Sequence, residues 1–456
     1  MQHQSLSGYG LMFEDLLPPE FLASIDPTSR QRHFGHLPVL WAWLAQILEA
    51  NNSCEKAVGL IQAWCRAQGL PVPASGNGAY CKARKRLSEN FLAAVSERIV
   101  SALGARVGQE DLWHGFTLKA IDGSSVKLMD TSGNQEAYPQ PSTQKKGCGF
   151  PVMSVSGLLN LSHGGWEAFQ TGPLTTHDLV SGAKLLAHIG QGDLLLADRA
   201  YCSYGFIASV LSRGAHAVIR LHGQREAALD WRKGRRIGPY ERLITWKRPA
   251  FSASPKKLSR EEWEAMPEQL ELRLVKLAYE DRTGRKRDLI VVTTLVDPER
   301  HDGIELFNLY ARRWDIEVKL RDIKTTLGFE MMAVRTPAMA RKTLMMIQIA
   351  CNLLRTLMQR AARKEGGPAG TMSFMAAIHT VASMHESFRS FALQPVKRAA
   401  HRDFLIGLLA AKPIDHRPYR SEPRALKRRP KPFALLTAPR SEFIEIPHRN
   451  TYRKAA

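Results

Sequence analysis

Four residues around position 317 have the types and spacing of a phosphate-handling group. Tyr310, Arg313, Glu317 and Lys324 fall in the run 304–326, whose apolar residues recur at helical spacing. At about 100° per residue, with Tyr310 at 0°, Arg313 falls at about −60°, Glu317 at about −20° and Lys324 at about −40°. Leu309, Ile316, Leu320, Ile323 and Leu327 occupy about −80° to −140°, an apolar stripe beside that arc. One edge of the helix is expected to be buried while the next presents a phenol, a guanidinium, a carboxylate and an ammonium. A solvated ion-pair face has the same pattern, because Arg313 and Glu317 are i,i+4 neighbours. Two further carboxylates bear on the choice. Asp122 closes a strand-like run and precedes Gly123-Ser124-Ser125, and Asp198 closes the apolar run Leu194-Leu195-Leu196-Ala197. Asp198 should therefore emerge at the carboxyl edge of a strand, where α/β sheets collect ligands. Two carboxylates at strand ends and a third on a helix can hold a pair of Mg²⁺ ions, which take oxygen ligands and leave positions for phosphate oxygens. A metal pair about 4 Å apart activates water or a 3′-hydroxyl and stabilises the leaving oxygen of an in-line phosphoryl displacement. An Arg and a Lys beside it would neutralise non-bridging oxygens.

The elements that must position these groups change in texture along the chain. Residues 1–110 read as helical, with apolar periodicity over Leu37–Leu48, Cys54–Gln68 and Tyr80–Leu103. The third stretch opens on Lys82, Arg84, Lys85 and Arg86, either a solvated face or a DNA-contacting one. From about 115 the runs become short and β-like. Phe116–Ile121, Val126–Met129 and Pro151–Leu161 are expected to form an antiparallel group, with 134–149 as a loop. Thr176–Ile189 reads as helix, Asp193–Ala197 as strand, Gly205–Ser212 as helix and Ala215–Leu221 as strand, an alternation that implies a parallel α/β core. Residues 222–300 form a mainly β insertion, with strands expected at Leu272–Tyr279 and Asp288–Val296. Helices follow at Ile304–Thr326, Pro337–Lys364 and Phe374–Phe391. The expected layout is a helical N-terminal DNA-binding domain (1–110), a first part of the α/β core (111–221), the insertion (222–300), the core helix with Glu317 (301–330), a helical C-terminal region (331–411) and a basic tail (412–456).

Charge narrows the partners. The chain of 456 residues carries 64 Lys and Arg against 43 Asp and Glu, a net charge of +21. That excess favours polyanions, nucleic acid foremost. The tail holds 12 Lys or Arg against 4 Asp or Glu, with prolines dense enough to prevent regular helix or central strand. A solvated tail and an arm lying along a phosphate backbone are compatible readings. No apolar run reaches the roughly 20 residues that span a bilayer, and Met1-Gln2-His3-Gln4 does not open a signal peptide. No membrane partner is expected. Six scattered cysteines without a C-x-x-C pair fit a reducing cytoplasm and argue against a zinc module.

With these residues in view, Tyr310-x-x-Arg313-x-x-x-Glu317-x-x-x-x-x-x-Lys324 resembles the Y-R-E-K signature of DDE-type bacterial insertion-sequence transposases. The likeness extends to Trp314 and Ile316, to Ile121-Asp122-Gly123-Ser124 and to Asp198-Arg199-Ala200-Tyr201. Ala83-Arg84-Lys85-Arg86-Leu87 and 422–430, with Lys427, Arg428 and Arg429, also look like family elements. The similarity runs from about residue 80 to 432. It implies an RNase H-like core with a β insertion between the second Asp and the Glu, a mixed α/β fold flanked by helical regions. It implies Asp122, Asp198 and Glu317 as catalytic ligands of two Mg²⁺ ions, with Mn²⁺ able to substitute. It implies that Tyr310, Arg313 and Lys324 contact phosphates of the transposon end, and that Trp314 lies where relatives stack a flipped base. Trp231, Trp246 and Trp263 are candidate stacking partners. The implied activity is cut-and-paste transposition: binding of inverted-repeat ends, cleavage, and transfer of a 3′-hydroxyl into target DNA. The implied partner is double-stranded DNA at transposon ends and target, with a homodimer in the synaptic complex and a bacterial cytoplasmic, nucleoid-associated location.

Rival readings use the same residues. A metal-dependent nuclease of this fold without strand transfer would need identical ligands, but not the extra basic helices and tail that end-specific synapsis needs. A non-catalytic DNA-binding regulator would not need three acids in order. Asp193 begins its strand and reads as a turn residue rather than a rival to Asp198. Asp130 and Asp178 read as a turn residue and a helix start. His163 and His177 read as hydrogen-bonding surface groups, and Cys148 and Cys202 as unpaired and inert.

Overall fold

Ten strands form one mixed sheet, ordered β3-β2-β1-β4-β5-β9-β8-β7-β6, with β10 beside β1. The computed structural model describes residues 8–25, 34–49, 53–251, 259–280, 286–368, 370–414, 438, 439 and 442. In chain order the strands are β1 (Thr117–Leu128), β2 (Val152–Asn160), β3 (Trp166–Pro173), β4 (Asp193–Ala197), β5 (His216–Arg220), β6 (Arg235–Gly238), β7 (Glu241–Lys247), β8 (Gln269–Glu280), β9 (Lys286–Thr293) and β10 (Met331–Met332). β1, β4 and β5 run parallel, while β2 and β3 are antiparallel to their neighbours.

The two expected runs 116–121 and 126–129 are one strand. The polar segment Asp122-Gly123-Ser124-Ser125 reads as a break, yet β2, buried along its whole length, pairs with β1 from Lys119 through Lys127 and carries the ladder across it. β4 accompanies β1 only as far as Ile121↔Ala197. Beyond Ile121, β1 projects past the end of β4, and Asp122 and Asp198 come to that step. The stretch 134–149 is not wholly loop, since Ser132–Ala137 forms a short helix capped by Thr131. The β-rich insertion does not stand apart. Its strand β9 pairs antiparallel with β5 through Val218↔Thr293, so β6–β9 extend the core sheet.

Helices cover the sheet and build the N-terminal region. Tyr80–Leu103 divides into Gly78–Arg86 and Glu89–Gly104, because Ser88 caps the second helix by accepting from the Phe91 amide at 3.0 Å. The helix Pro337–Lys364 starts with proline in its first turn, behind the cap Thr336, and is buried over most of its length. It packs against Glu89–Gly104, His36–Leu48 and Pro395–Ala410, joining both ends of the chain into one core. Gln348 and Asn352 of that helix donate to the Trp166 carbonyl at 3.2 and 2.8 Å, satisfying the start of edge strand β3. No helix among the described residues is long and apolar enough to cross a membrane.

The expected single helix Ile304–Thr326 is three segments. Gly303–Ala311 ends in a tightened turn in which the Arg313 amide reaches the Tyr310 carbonyl at 3.0 Å; Trp314–Arg321 follows. A π-turn, Asp322–Thr326, closes the run with Leu327 N bonded to Asp322 O at 3.1 Å. Both irregularities lie between residues expected on one face, and π-turns such as the second recur at functional sites.

Candidate active site

The Arg313 guanidinium joins the strand to the helix. One of its nitrogens lies 3.2 Å from Asp122 Oδ2 and the other 2.9 Å from Glu317 Oε1. Asp122 and Arg313 are 191 residues apart in sequence. The solvated ion-pair face is therefore the wrong picture of this helix: Arg313 is only 7% exposed and faces the sheet. Its Nε is buried and has no hydrogen-bond partner among the described residues. Burial opposes its charge, but Tyr310, Glu317 and Asp122 around it hold its pKa above the ordinary arginine value.

Asp122 sits mid-strand, half-buried, with Oδ1 accepting from the Gly123 amide at 2.8 Å. Burial, followed by repulsion from Glu317 and Asp198, raises its carboxyl above the usual range despite Arg313 and the Gly123 amide. Asp198 caps the 3₁₀ turn Arg199–Tyr201, its side chain accepting from the Arg199 amide. Tyr310 is buried against Arg313, and burial together with the Asp198 charge pushes its phenol up to about 12. Lys324, in the π-turn, donates to Ser124 Oγ of β1 at 3.3 Å. Thus all four helix residues face the step between β1 and β4. Trp314 is 59% exposed, its ring 5.3 Å from the Arg313 guanidinium carbon.

Gly123 has a steric reason. A Cβ there would meet Asp178 Oδ1 at 3.2 Å. Asp178, at the start of the helix Asp178–Leu185, has its carboxyl raised by burial and by Asp198. Sequence reading passed over Arg220, which ends β5 one position beyond the register partner of Ala197, and whose charge acts on Tyr310. A basic residue closing the apolar run Ala217–Ile219 at a strand's carboxyl end was the available signal.

Other readings resolve individually. Asp193 is the first residue of β4, its carboxylate closing the preceding turn by accepting from the Gly190 amide at 2.8 Å and pairing with Lys119 at 3.0 Å. His163 is not a surface group: it is 2% exposed, accepts from the Gly165 amide, and burial pushes its ring down to about 3. Trp263 is core, its indole donating to the Pro249 carbonyl at 3.1 Å. Trp246 and Trp231 are half-buried beneath the guanidinium groups of Arg225 and Arg242. Arg84 turns inward, 3.2 Å from Gln46 Oε1 and over the Trp43 and Tyr80 rings, whereas Lys85 and Arg86 are exposed. Lys427, Arg428 and Arg429 lie outside the described residues.

A strand acid and a helix acid bridged by one arginine, with a strand-end acid whose charge acts on the first, can be set beside known proteins. The family model described as a transposase DDE domain matches residues 113–353, more than half of the chain. The chain belongs to the DDE transposase family. Over 440 residues this transposase is 24% identical to the transposase InsG for insertion sequence element IS4 of Escherichia coli K12, covering 93% of each chain. It is 24% identical over 225 residues to the putative transposase InsZ of the same organism, 45% of this chain and 75% of that one. A cryo-EM structure of a piggyBac transposase synaptic complex with hairpin DNA aligns at a TM-score of 0.42 and 12% identity, covering 91% of this chain and 87% of the other.

The family implies dependence on a divalent metal. Among the described residues no three His, Cys, Asp or Glu side chains are gathered tightly enough to hold one. Arg313 accounts for part of this, since its guanidinium lies between Asp122 and Glu317. The donor set still fits such an ion. The Asp122 carboxyl is held above the usual range by burial and then by the charges of Glu317 and Asp198, and an added cation would offset that and favour its ionised form.

Proposed function

We propose that this transposase binds the inverted-repeat ends of an insertion sequence, cleaves DNA there and transfers the freed 3′-hydroxyl into target DNA, using Asp122, Asp198 and Glu317 to hold two Mg²⁺ ions. The observation that carries this reading is the Arg313 bridge, which draws Asp122 and Glu317 to one point at the carboxyl edge of the parallel strands. The RNase H-like reading of the core is supported by the strand order β3-β2-β1-β4-β5 with β2 antiparallel. Bound ions would activate the attacking oxygen and stabilise the leaving one.

The chain's own residues then divide the remaining work. Arg313 releases its carboxylates and turns its charge to non-bridging phosphate oxygens, whose geometry suits a guanidinium fork. Tyr310 stays protonated at neutral pH and donates a hydrogen bond to a phosphate. Lys324, aligned by Ser124, adds a second cation beside the scissile strand. Trp314, exposed at the rim, offers a face on which an extruded base can stack. Lys85 and Arg86 contact the DNA backbone from the N-terminal helices, with Arg84 anchoring their helix, and the tail residues Lys427, Arg428 and Arg429 add charge. The domain layout expected from sequence, a homodimer in the synaptic complex and a nucleoid-associated location belong to the same proposal.

The test uses purified protein, a duplex carrying the repeat boundary, and Mg²⁺ or Mn²⁺, resolved on a denaturing gel. Nicking at the boundary that requires the metal is expected; cleavage of random and end-bearing duplexes at equal rates would favour the nuclease reading instead. Arg313→Ala should weaken binding of the repeat end more than binding of random DNA, measured by competition; equal losses would remove Arg313 from end positioning.

A further inference from the structure

The connection between β1 and β2 is built rather than slack. Gln140 is its hub. The Gln140 side-chain amide donates to the carbonyls of Gln144 and Lys145 at 3.1 and 2.9 Å, and its oxygen accepts from the amides of Gly147 and Gly149 at 3.0 and 3.3 Å. Gln135 secures the base, donating to the Gly149 carbonyl at 3.0 Å and accepting from the Gln140 amide at 3.1 Å. Asn134 ties the preceding turn to Val334 and Met129. Three carbonyls and three amides of the loop backbone are thus engaged by the side chains of Gln135 and Gln140.

What this scaffold presents is charge. Lys145 and Lys146 stand exposed at its tip, and Lys127 and Arg335 are exposed at its foot. Among the described residues these four side chains make no hydrogen bond or ion pair. Asp130, the acid at the loop's base, is engaged by Gln135 at 2.8 Å. Asp130, Glu136 and Glu330 are the exposed acids on the same described segments. Pro439, one of the few described residues of the basic tail, lies against Gly147, where a Cβ would meet its ring at 3.0 Å.

We propose that the loop 140–149 is a second phosphate-contact surface for double-stranded DNA, set apart from the three-carboxylate site and held in register with it by β1. This rests on the reading that the chain binds DNA. β1 runs six residues from Asp122 to Leu128, and the Leu128 amide bonds to the Pro151 carbonyl at the foot of the loop. At about 3.3 Å per residue that is about 20 Å, or about six base pairs at about 3.4 Å each. That span reaches only the foot of the loop, so Lys145 and Lys146 at its tip should meet the backbone outside the footprint of the three-carboxylate site. Because the contact is to phosphate, it contributes affinity and register rather than sequence preference.

Hydroxyl-radical footprinting and salt titration of the full chain on an end-bearing duplex test this. For Lys145→Ala/Lys146→Ala, a patch of protection outside the cleavage-site footprint should vanish while protection at the site persists. The slope of log affinity against log salt should fall by about 1.8, for two lost contacts at about 0.9 each. The wild-type advantage should accordingly shrink about twelve-fold between about 50 and 200 mM salt. Lys145→Arg/Lys146→Arg should keep the slope, and Gln140→Ala, which retains both lysines but frees the loop, should lose the footprint. An unchanged footprint and slope in the alanine double variant overturns the loop inference alone. A wild-type chain with no DNA affinity, or with affinity indifferent to salt, overturns the DNA-binding reading beneath it.

Discussion

Alanine at Asp122, Asp198 or Glu317 should lower strand cleavage by about 10³-fold or more, equivalent to roughly 4 kcal/mol of barrier, while leaving DNA binding close to wild type. The expectation follows from position. None of the three is needed to hold the surrounding core: Asp122 is flanked by ladder pairs on both sides, Asp198 follows its strand, and Glu317 is 40% exposed at its side chain. A gel-shift and a nicking assay on the same preparations separate the two effects. Cleavage that survives one substitution removes that residue from the ligand set. A stability measurement sharpens the test. Asp122 is held above its unfolded pKa, mainly by burial and then by Glu317 and Asp198. The native state therefore binds a proton more tightly than the unfolded one. As pH rises from the ordinary aspartate value through the raised native value, this group's contribution to stability falls. Asp122→Asn should accordingly raise the metal-free melting temperature at neutral pH and lose that advantage in acid. Added Mg²⁺ should stabilise the wild type and not the variant. Equal melting curves at neutral pH would mean that Asp122 carries no uncompensated charge.

The parts of this site that sequence made legible are those encoded locally. Asp198 announces itself because four apolar residues lead to it, and Glu317 because an apolar stripe runs beside it. Asp122 was legible as an acid before Gly-Ser, but its strand was not, since continuity across 122–125 is supplied by β2 some thirty residues later in the chain. The helix wheel assumed constant pitch. The tightened turn at Arg313 and the π-turn at Asp322 break that assumption, and both depend on contacts outside the helix: Arg313 with Asp122, and Asp322 with Arg355. The joining of β9 to β5 was equally hidden, because an apolar run shows that a strand is buried without naming its neighbour. His163 and Arg84 failed in opposite ways. A histidine beside a turn reads as surface yet lies in the core, while an arginine in a basic run turns inward to Gln46 and two aromatic rings.

The largest stability effect is expected away from the carboxylates, at the π-turn that carries Lys324. Arg355 of the long helix Pro337–Lys364 is 4% exposed, and its guanidinium reaches Asp322 Oδ2 at 3.2 Å and lies over the Phe374 ring at 4.8 Å. Lys319 shares the pocket, its ammonium pushed down to about 7 by burial and by Arg355. Asp322 is thus the anion beside the buried Arg355 and the half-buried Lys319. Asp322→Ala should cost about 3–5 kcal/mol, the usual penalty for leaving a buried charge without its partner. It should also reduce cleavage, because the turn that aligns Lys324 with Ser124 begins at that residue. Removing both charges should restore most of the stability, since a buried ion pair replaced by apolar side chains of similar volume is close to neutral. Asp322→Leu/Arg355→Met is that variant. Urea unfolding of the wild type, both single variants and the double measures the coupling directly. A double variant as unstable as Asp322→Ala would show that the π-turn depends on the Asp322 carboxylate itself, and not on the pairing of its charge with Arg355.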